Sequence, residues 1–222
     1  GQKDPDYLAD LIRLQQVSVV HFVPSMLRPF VDAPDAAACE SLRLIVCSGE
    51  ALPGDLAAKT RHRLPGCDIQ NLYGPTEAAI DVSSWRFEAD DGRSVPIGHP
   101  IANIDLHVLT PQLQLAGVGV PGELCISGVG VANGYLNRPD EHTAKFFADP
   151  FKPDRPMYRT GDLARWRADG VLEFLGRLDR QIKIGGQRIE LGEIECALNA
   201  CAGVKASAVA VRGSAGGAHL VA

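Results

Sequence analysis

The chain has 222 residues, with 22 Lys and Arg against 27 Asp and Glu, which gives a formal net charge of −5 at pH 7. Hydrophobic residues make up 45%, as in an ordinary globular protein, and the acidic balance argues against general nucleic-acid binding. No apolar run approaches the length of a membrane span and no signal peptide is recognisable, so no membrane partner is expected.

The six cysteines form no CxxC pair, and no histidine stands at zinc-finger spacing from them. Reduced, mostly buried thiols in a cytoplasmic protein are therefore expected. The first residue is not Met, and the last four residues resemble the beginning of a strand. We expect the chain to be a fragment of a longer protein.

Residues 1–95 alternate helix-like and strand-like segments, which predicts an α/β layer with a parallel sheet. The predicted helices cover residues 7–16 and start again at Pro53, and the predicted strands cover 17–22, 42–47 and 68–70. Ligands of parallel sheets sit beyond the carboxyl ends of strands. Gly49 and Glu50 lie at one such end, and residues 73–77 lie at another.

From residue 96 to 178 short apolar runs alternate with Gly, Pro and Asn turns, which is typical of an antiparallel barrel or curled sheet. The predicted strands cover 104–109, 122–127 and 171–175. Beyond Asp179 come the run QIKI at 181–184 and a Gly-Gly pair at 185–186, and the pattern then predicts a helix over 191–200 and a strand over 204–211. Residues 214–217 look like a loop.

The segment NLYGPTE, residues 71–77, follows a short strand and combines an aromatic ring, a hydroxyl and a carboxylate. An aromatic ring can stack on a base, a hydroxyl can donate to a phosphate, and a carboxylate can hold Mg²⁺ beside it. This combination suits a nucleoside triphosphate, although a strand-to-loop turn with a packed tyrosine gives the same pattern. Residues 155–190 also carry eight Lys or Arg against five Asp or Glu, as either a polyanion site or a solvated basic surface would.

Five further motifs follow in order: GELCISG at 122–128, ANGYL at 132–136, YRTGD at 158–162, GRLD at 176–179 and KIGGQRIELGEIE at 183–195. Together with residues 71–77 they closely resemble the core motifs of adenylation domains of nonribosomal peptide synthetases. These domains belong to the adenylate-forming enzymes, which also include acyl-CoA ligases and luciferases. The resemblance covers nearly the whole chain.

The resemblance implies an α/β fold: the C-terminal part of an adenylate-forming large domain, followed by the start of an α+β lid. Residues 1–95 would be a partial α/β subdomain, 96–178 a small distorted β-barrel, and 179–222 the hinge and a truncated lid. The implied ligase uses ATP and Mg²⁺ to convert an amino acid to aminoacyl-AMP. It then transfers the acyl group to the phosphopantetheine thiol of a peptidyl carrier domain, and a small helper protein is a further candidate partner.

The resemblance also implies roles for single residues around the nucleotide. Tyr73 would stack on adenine, Asn71 would bind its amino group, and Gly49 and Glu50 would form the strip on the opposite side of the base, with Gly74 in the adjoining turn. Thr76 would bind the α-phosphate and Glu77 the Mg²⁺ ion. The predicted catalytic residues are Thr76, Glu77, Arg177 and Lys183.

Asp162 would hold the ribose hydroxyls, since an ionised carboxylate accepts hydrogen bonds from both hydroxyls of a diol; a turn-capping aspartate is the alternative. Arg177 would lie near the ribose and phosphates, or else in a surface ion pair. Phe174 would line the nucleotide pocket, or else belong to the core. Asp179 resembles the hinge, and Lys183 lies on a lid loop where Gly185 replaces an arginine common in the family.

Six positions match the amino-acid pocket of the family. His21 and Asp81 could bind a hydroxyl group, and this set resembles serine-activating domains, which usually carry Ser where Cys47 stands. Threonine and other small polar amino acids fit the same pattern, and a core histidine with a turn aspartate is the alternative reading. The pocket residues are His21, Ile45, Cys47, Leu72, Ile80 and Asp81.

Two parts of the family pattern do not match any segment of this sequence: a Ser/Thr/Gly-rich phosphate loop and the catalytic lysine of the lid. We therefore expect these 222 residues alone not to form aminoacyl-AMP at a useful rate. Two other functions share many of the motifs. One is an acyl- or aryl-CoA ligase, and the other is a fragment that binds nucleotide or a partner without turnover.

Overall fold

The computed structural model describes residues 1, 4–88, 92–213 and 218–222. The loop predicted at 214–217 lies outside the described residues. The helices are α1 (Pro5–Gln15), α2 (Pro24–Asp32), α3 (Gly54–Arg63), α4 (Pro139–Lys145) and α5 (Leu191–Asn199), with short 3-10 helices at Pro34–Ala38 and Thr76–Ala78. The strands are β1 (Val19–Phe22), β2 (Leu44–Cys47), β3 (Asp68–Tyr73), β4 (Ser83–Arg86), β5 (His99–Pro100), β6 (Ile104–Leu109), β7 (Gly122–Gly128), β8 (Phe146–Ala148), β9 (Pro156–Trp166), β10 (Leu172–Arg177), β11 (Gln181–Ile184), β12 (Gln187–Glu190), β13 (Ala210–Arg212) and β14 (His219–Val221).

The first three helices start where the sequence supplies a helix-start signal. Asp4 caps α1 by accepting hydrogen bonds from the backbone N–H groups of Asp6 and Tyr7, at 3.1 and 3.2 Å. Pro24 is the first residue of α2, where its missing N–H costs nothing. Pro53 is the N-cap of α3, so this helix begins at Gly54, one residue later than the sequence predicts.

The first sheet has the order β1-β2-β3-β4-β5, with β1, β2 and β3 parallel and the last two pairings antiparallel. Helices α1, α2 and α3 cover one side of it and enclose an apolar core that includes Phe30, Leu56 and Ile69. The predicted parallel α/β layer is therefore present. The loops after β2 and β3 lie at one edge of this sheet.

The second sheet is antiparallel, with the order β10-β9-β7-β6 and β8 beside β9, as the turn-rich sequence predicts. Its core also contains Tyr73 and Ala78 from the end of β3 and the 3-10 helix after it. The second sheet therefore packs directly against the NLYGPTE segment. The 11 residues of β9 carry the YRTGD motif into the contact between the two sheets.

The strand predicted over 204–211 is wrong for most of its length, because only its end belongs to β13, which pairs with β14. The preceding polar groups bond to α5 instead. The N–H of Val209 donates to the Glu195 carboxylate at 2.8 Å, and the Ser207 hydroxyl donates to the Glu195 carbonyl at 3.2 Å. Hydrogen bonds between residues 207–209 and Glu195 have therefore formed in place of strand pairing.

All six cysteines are free thiols, four of them buried and two, Cys196 and Cys201, exposed. Burial raises the pKa of Cys47 and Cys125 to about 12 and that of Cys67 to about 11. The thiolate is the reactive species, so these thiols should react slowly, both because burial limits access and because the raised pKa keeps them protonated.

We expect Ellman's reagent to modify two thiols rapidly at mildly alkaline pH and the remaining four only after urea is added. The count of released thionitrobenzoate measures this. Replacing both Cys196 and Cys201 with serine should remove the rapid phase, and a rapid phase of three or more thiols would contradict the arrangement.

Within the described ranges, none of the helices has the length and apolarity that crossing a bilayer requires.

Candidate active site

The loops after β2 and β3 open onto a cavity of about 710 Å³ between the two sheets and the β11–β12 hairpin. This volume lies in the range of small-ligand sites. Ten residues singled out from the sequence line it: Gly49, Glu50, Asn71, Leu72, Tyr73, Gly74, Asp162, Phe174, Arg177 and Lys183. An adjoining cavity of about 220 Å³ adds Thr76 and Ile80, together with Ser48 and Arg188.

One wall of the larger cavity combines aromatic rings with an unpaired acceptor. The rings of Tyr73 and Phe174 lie with their centroids 6.3 Å apart. The Asn71 side chain is buried, and its amide nitrogen donates to the Pro96 carbonyl at 2.8 Å. Its Oδ1 atom has no hydrogen-bond partner within the described part of the chain. Because a carbonyl only accepts hydrogen bonds, this contact fixes the amide orientation and leaves the acceptor available to an exocyclic amino group.

Asp162 lies at the centre of the site, buried between β9, β3 and β10. Its carboxylate accepts a hydrogen bond from the Tyr73 hydroxyl and one from Arg177 Nη1, the latter at 2.6 Å. Burial raises the pKa of Asp162, while these two donors act in the opposite direction. Burial and the nearby Asp162 charge raise the pKa of Tyr73, so the phenol remains protonated and can donate.

Arg177 joins the predicted ribose residue to the predicted hinge. Besides Asp162, its guanidinium donates to both carboxylate oxygens of Asp179 at 2.6 Å, and to the Thr160 carbonyl at 3.2 Å. Burial alone would raise the pKa of Asp179, but the bonds and charge of Arg177 outweigh it and lower that pKa. Arg177 is therefore a part-buried residue that connects β9, β10 and the residues that directly follow β10.

The β11–β12 hairpin closes the site from the lid side. The N–H of Gly186 at its tip donates to Glu50 at 2.8 Å, and Arg188 Nη1 donates to both oxygens of Glu77 at 2.7 and 2.8 Å. Lys183 lines both cavities. The residue as a whole is exposed, yet desolvation lowers the pKa of its ammonium, with the Asp162 charge acting in the opposite direction.

Glu77, the predicted metal ligand, is buried in the 3-10 helix after β3. In addition to Arg188, it accepts a hydrogen bond from the Tyr135 hydroxyl at 2.6 Å. Burial raises its pKa, but the Tyr135 and Arg188 bonds outweigh burial, so the pKa of Glu77 lies below its ordinary value. Glu77 is thus an ionised carboxylate with two strong donors.

Two of the predicted amino-acid pocket residues are corrected by the structure. Ile45 and Cys47 are completely buried in the core under the helices, and neither is among the described residues that line these two cavities. Successive strand residues point to opposite sides, and β2 has the alternating pattern in which Val46 is the less buried neighbour. Val46 is in register with His21 of β1, so the sequence-based assignment was displaced by one residue.

The residue that the sequence reasoning missed here is Ser48. Its hydroxyl lies 2.7 Å from His21 Nε2, and it lines the smaller cavity. Asp81 lies close enough to His21 for the two charges to interact, and one of its carboxylate oxygens is buried with no hydrogen-bond partner among the residues that the structure describes. Burial raises the pKa of Asp81, and His21 acts against that rise. Ser48 therefore joins the two predicted residues, His21 and Asp81, in one polar group.

Arg188 and Tyr135 were also missed as functional residues. Both lie inside motifs that the sequence analysis quoted, but their common partner Glu77 is 111 residues from Arg188 and 58 from Tyr135. Neither contact with Glu77 could be read from the sequence, because each joins residues far apart in the chain.

Gly74 holds the turn between Tyr73 and Thr76 against the following backbone. A Cβ atom at this position would lie 2.3 Å from the Ile80 carbonyl oxygen and 2.8 Å from Asp81 Cα. We expect Gly74→Ala to lower the free energy of unfolding by about 1–3 kcal/mol, because backbone atoms cannot easily move aside. It should also weaken AMP binding, since the turn orients Tyr73.

Urea unfolding and an AMP titration measure the two effects. Gly66→Ala is the matched control, because no atom of the described residues lies within 4 Å of a Cβ atom placed there. Equal unfolding midpoints for the two variants would contradict the expected contact.

The family model described as AMP-binding enzyme matches residues 1–136, which is more than half of the chain. The chain belongs to the AMP-binding enzyme family. This AMP-binding chain is 51% identical over 215 residues to "Phosphinothricin tripeptide synthetase PhsB" of Streptomyces viridochromogenes, covering 96% of the chain and 18% of that protein. It is 46% identical to "Enterobactin synthase component F" of Escherichia coli, covering 89% of the chain and 16% of that protein.

Solved structures give the same result for the fold. An NRPS protein containing adenylation and PCP domains, bound to a vinylsulfonamide inhibitor, matches with a TM-score of 0.91 and 30% identity over 99% of this chain and 39% of that one. The adenylation domain AlmE of Vibrio cholerae, in complex with glycyl-adenosine-5'-phosphate, matches with a TM-score of 0.84 and 34% identity over 96% and 42%. The predicted fold class and the resemblance to adenylation domains are confirmed. The chain spans less than a fifth of the curated relatives described here.

Proposed function

We propose that the chain is the nucleotide- and side-chain-binding part of a domain that activates an amino acid as aminoacyl-AMP. The domain then passes the acyl group to the phosphopantetheine thiol of a carrier domain. Subdomains at 1–95, 96–178 and 179–222 would correspond to the α/β layer, the β-barrel-like part and the lid. The free thiols fit the cytoplasmic location expected from the sequence. A small helper protein remains a candidate partner.

The observation that carries this proposal is that one cavity brings together Asn71, Tyr73 and Asp162. The unpaired Asn71 Oδ1 would accept a hydrogen bond from the adenine amino group, beside the rings of Tyr73 and Phe174. The Asp162 carboxylate would bind ribose hydroxyls, and Gly49 and Glu50 would border the base. Each of these contacts follows from donors and acceptors that face the same space.

In the first half-reaction the amino-acid carboxylate attacks the α-phosphorus and pyrophosphate leaves. Both reactants are anions, so cationic groups must offset their repulsion. Arg177 and Lys183 supply positive charge at the cavity, and the Thr76 hydroxyl can donate to a phosphate oxygen. Each of these groups is worth roughly 10²–10³ in rate where it stabilises charge that develops in the transition state.

Glu77 fits a Mg²⁺ site, because Mg²⁺ commonly takes one or two carboxylates and completes its shell with phosphates and waters. Among the described residues, no group of three or more His, Cys, Asp or Glu side chains could hold a metal by itself. Glu77 is ionised and lies beside the Thr76 turn, so it would hold the metal against the phosphates. A bound Mg²⁺ ion would supply charge neutralisation.

For the amino acid we propose L-serine. His21, Ser48 and Asp81 supply donors and acceptors for a side-chain hydroxyl, with Leu72 and Ile80 as apolar neighbours. A site built to bind a hydroxyl discriminates strongly against analogues that lack it. An acyl- or aryl-CoA ligase would have no use for this polar group. ATP–pyrophosphate exchange with a panel of amino acids tests the proposal, and a preference for leucine or phenylalanine would refute serine.

The nucleotide assignment is tested by calorimetric titration of AMP and IMP into a complete adenylation domain carrying this sequence. IMP presents a carbonyl oxygen where AMP has its amino group, so we expect it to bind about 10–100-fold more weakly because two acceptors then face each other. Asn71→Leu should abolish that difference, whereas Asn199→Leu at the exposed end of α5 should preserve it. Equal affinities for AMP and IMP would refute the assignment.

The 222-residue chain alone is expected to give only background pyrophosphate exchange. Exchange at the rate of a complete domain would contradict this. If the chain alone binds a non-hydrolysable seryl-AMP analogue without turnover, it acts as a binding fragment of the larger enzyme.

A further inference from the structure

The β11–β12 hairpin reaches Glu77 through one side chain. Arg188 Nη1 lies 2.7 and 2.8 Å from the two carboxylate oxygens. The Glu77 side chain is 9% exposed and that of Arg188 is 34% exposed, so the pair is largely shielded from water. Charge-assisted bonds of this length are stronger than neutral ones. The hairpin is thus held on the large domain by an ion pair with the proposed metal ligand.

Arg188 contacts both of the carboxylate oxygens that a metal ion would use. Glu77 Oε1 accepts from Tyr135 at 2.6 Å as well as from Arg188, and Oε2 accepts from Arg188. A guanidinium and a divalent cation on the same two oxygens would lie within a few ångströms of each other, where like charges repel strongly. Simultaneous binding is therefore strongly disfavoured.

We propose that Arg188 is a positioning residue that takes the place of the divalent cation at Glu77, so that the lid hairpin docks only when this carboxylate is free of metal. The inference rests on the proposed function, because it uses Glu77 as the metal ligand of the first half-reaction. The hairpin then docks after Glu77 has lost its metal, which orders the two half-reactions.

A second contact, between the hairpin tip and Glu50, aligns the hairpin so that Arg188 can reach Glu77. The hairpin tip approaches the large domain closely: the Gly186 N–H donates to Glu50, and the side chain of Val23 leaves too little space for a Cβ atom at Gly186. A Cβ atom on Gly186 would lie 2.7 Å from Val23 Cγ1. The tip therefore guides the hairpin, and Arg188 supplies the strong polar contact on the neighbouring strand.

Metal binding provides the first test, in a complete adenylation domain carrying this sequence and saturated with a non-hydrolysable ATP analogue. Free Mn²⁺ is measured by electron paramagnetic resonance during a titration. We expect Arg188→Gln to tighten Mn²⁺ binding by about tenfold, because the competing docked state is lost. Lys205→Gln, which removes a positive charge from the exposed lid surface, should leave the affinity unchanged. Equal affinities for Arg188→Gln and the unmodified domain would overturn the proposal.

Hydrogen exchange separates docking from simple charge repulsion. In the unmodified domain, Mg²⁺ should accelerate amide exchange over 183–190, and sodium chloride at equal ionic strength should not. In Glu77→Gln the same amides should exchange rapidly with or without Mg²⁺. Protection that does not respond to Mg²⁺ in the unmodified domain would overturn the proposal without any variant.

Neither measurement uses an amino acid or turnover, so failure of the serine assignment leaves both readouts interpretable. If Mn²⁺ does not bind near Glu77, which paramagnetic broadening would reveal, the metal role fails and the competition fails with it. If Mn²⁺ binds near Glu77 and Arg188→Gln has no effect, the proposed function stands and only the competition is refuted.

Discussion

Asp162→Ala is expected to lower the free energy of unfolding by about 3 kcal/mol and to weaken AMP binding by roughly 10²-fold. Removing one partner of a buried ion pair leaves the other charge uncompensated. Here Arg177 would still form its ion pair with Asp179, so the expected loss of unfolding free energy lies at the lower end of the usual range of about 3–5 kcal/mol. The buried Tyr73 hydroxyl would also lose its acceptor.

Urea unfolding with an unchanged m-value would report the stability loss. Asp169→Ala is a suitable control, since that aspartate forms a more exposed ion pair with Arg167 at 2.7 Å; we expect a loss below about 1 kcal/mol. The ribose role is isolated by comparing AMP with 2'-deoxy-AMP. The unmodified domain should prefer AMP, and Asp162→Ala should not. A preference that survives the substitution would contradict the assignment of Asp162 to ribose.

His21→Leu is expected to lower serine-dependent pyrophosphate exchange by roughly 10²-fold and to leave alanine-dependent exchange nearly unchanged. The reason is that His21 and Ser48 form a polar contact at 2.7 Å beside the unpaired oxygen of Asp81. A leucine would leave those groups without a partner when a hydroxyl-bearing substrate binds. The measurement is the ratio of kcat/KM for the two amino acids in a complete domain.

One substitution at Ser48 and one at Cys47 test whether the corrected pocket or the pocket predicted from sequence binds the amino acid. Ser48→Ala should also reduce the preference for serine. Cys47→Ser should leave the preference unchanged and lower the free energy of unfolding by about 1–3 kcal/mol, because it buries a hydroxyl in an apolar core. If Cys47→Ser alters specificity and Ser48→Ala does not, the assignment of strand faces in β2 is wrong.

The sequence predicted the fold class and the cleft because the motifs carry their own local structure. A buried strand followed by NLYGPTE predicts a turn, and the Tyr, Thr and Glu side chains in that turn indicate which groups it can bind. The faces of β2 were not predictable in the same way, since the run from Leu44 to Cys47 is apolar throughout. Strands of parallel sheets lack clear alternation, and a shift of one residue moves every side chain to the other side.

Tertiary contacts explain the other differences. Alternation over 204–211 favoured a strand, but Glu195 of the preceding helix binds the polar groups of Ser207 and Val209. The Arg188–Glu77 pair joins residues in separate parts of the chain. Neither contact leaves a periodic signal, so each depends on the folded arrangement.

The guanidinium of Arg177 donates to Asp162 and Asp179 at the same time. Rotation of the backbone at Asp179 must therefore either break the two 2.6 Å bonds to that residue or pull Arg177 away from Asp162. The Asp179 side chain is 39% exposed, so dissolved ions can weaken its attraction to the guanidinium. With Asp179 as the proposed hinge of the lid, the rate of lid movement should consequently rise with ionic strength, even in the presence of bound AMP.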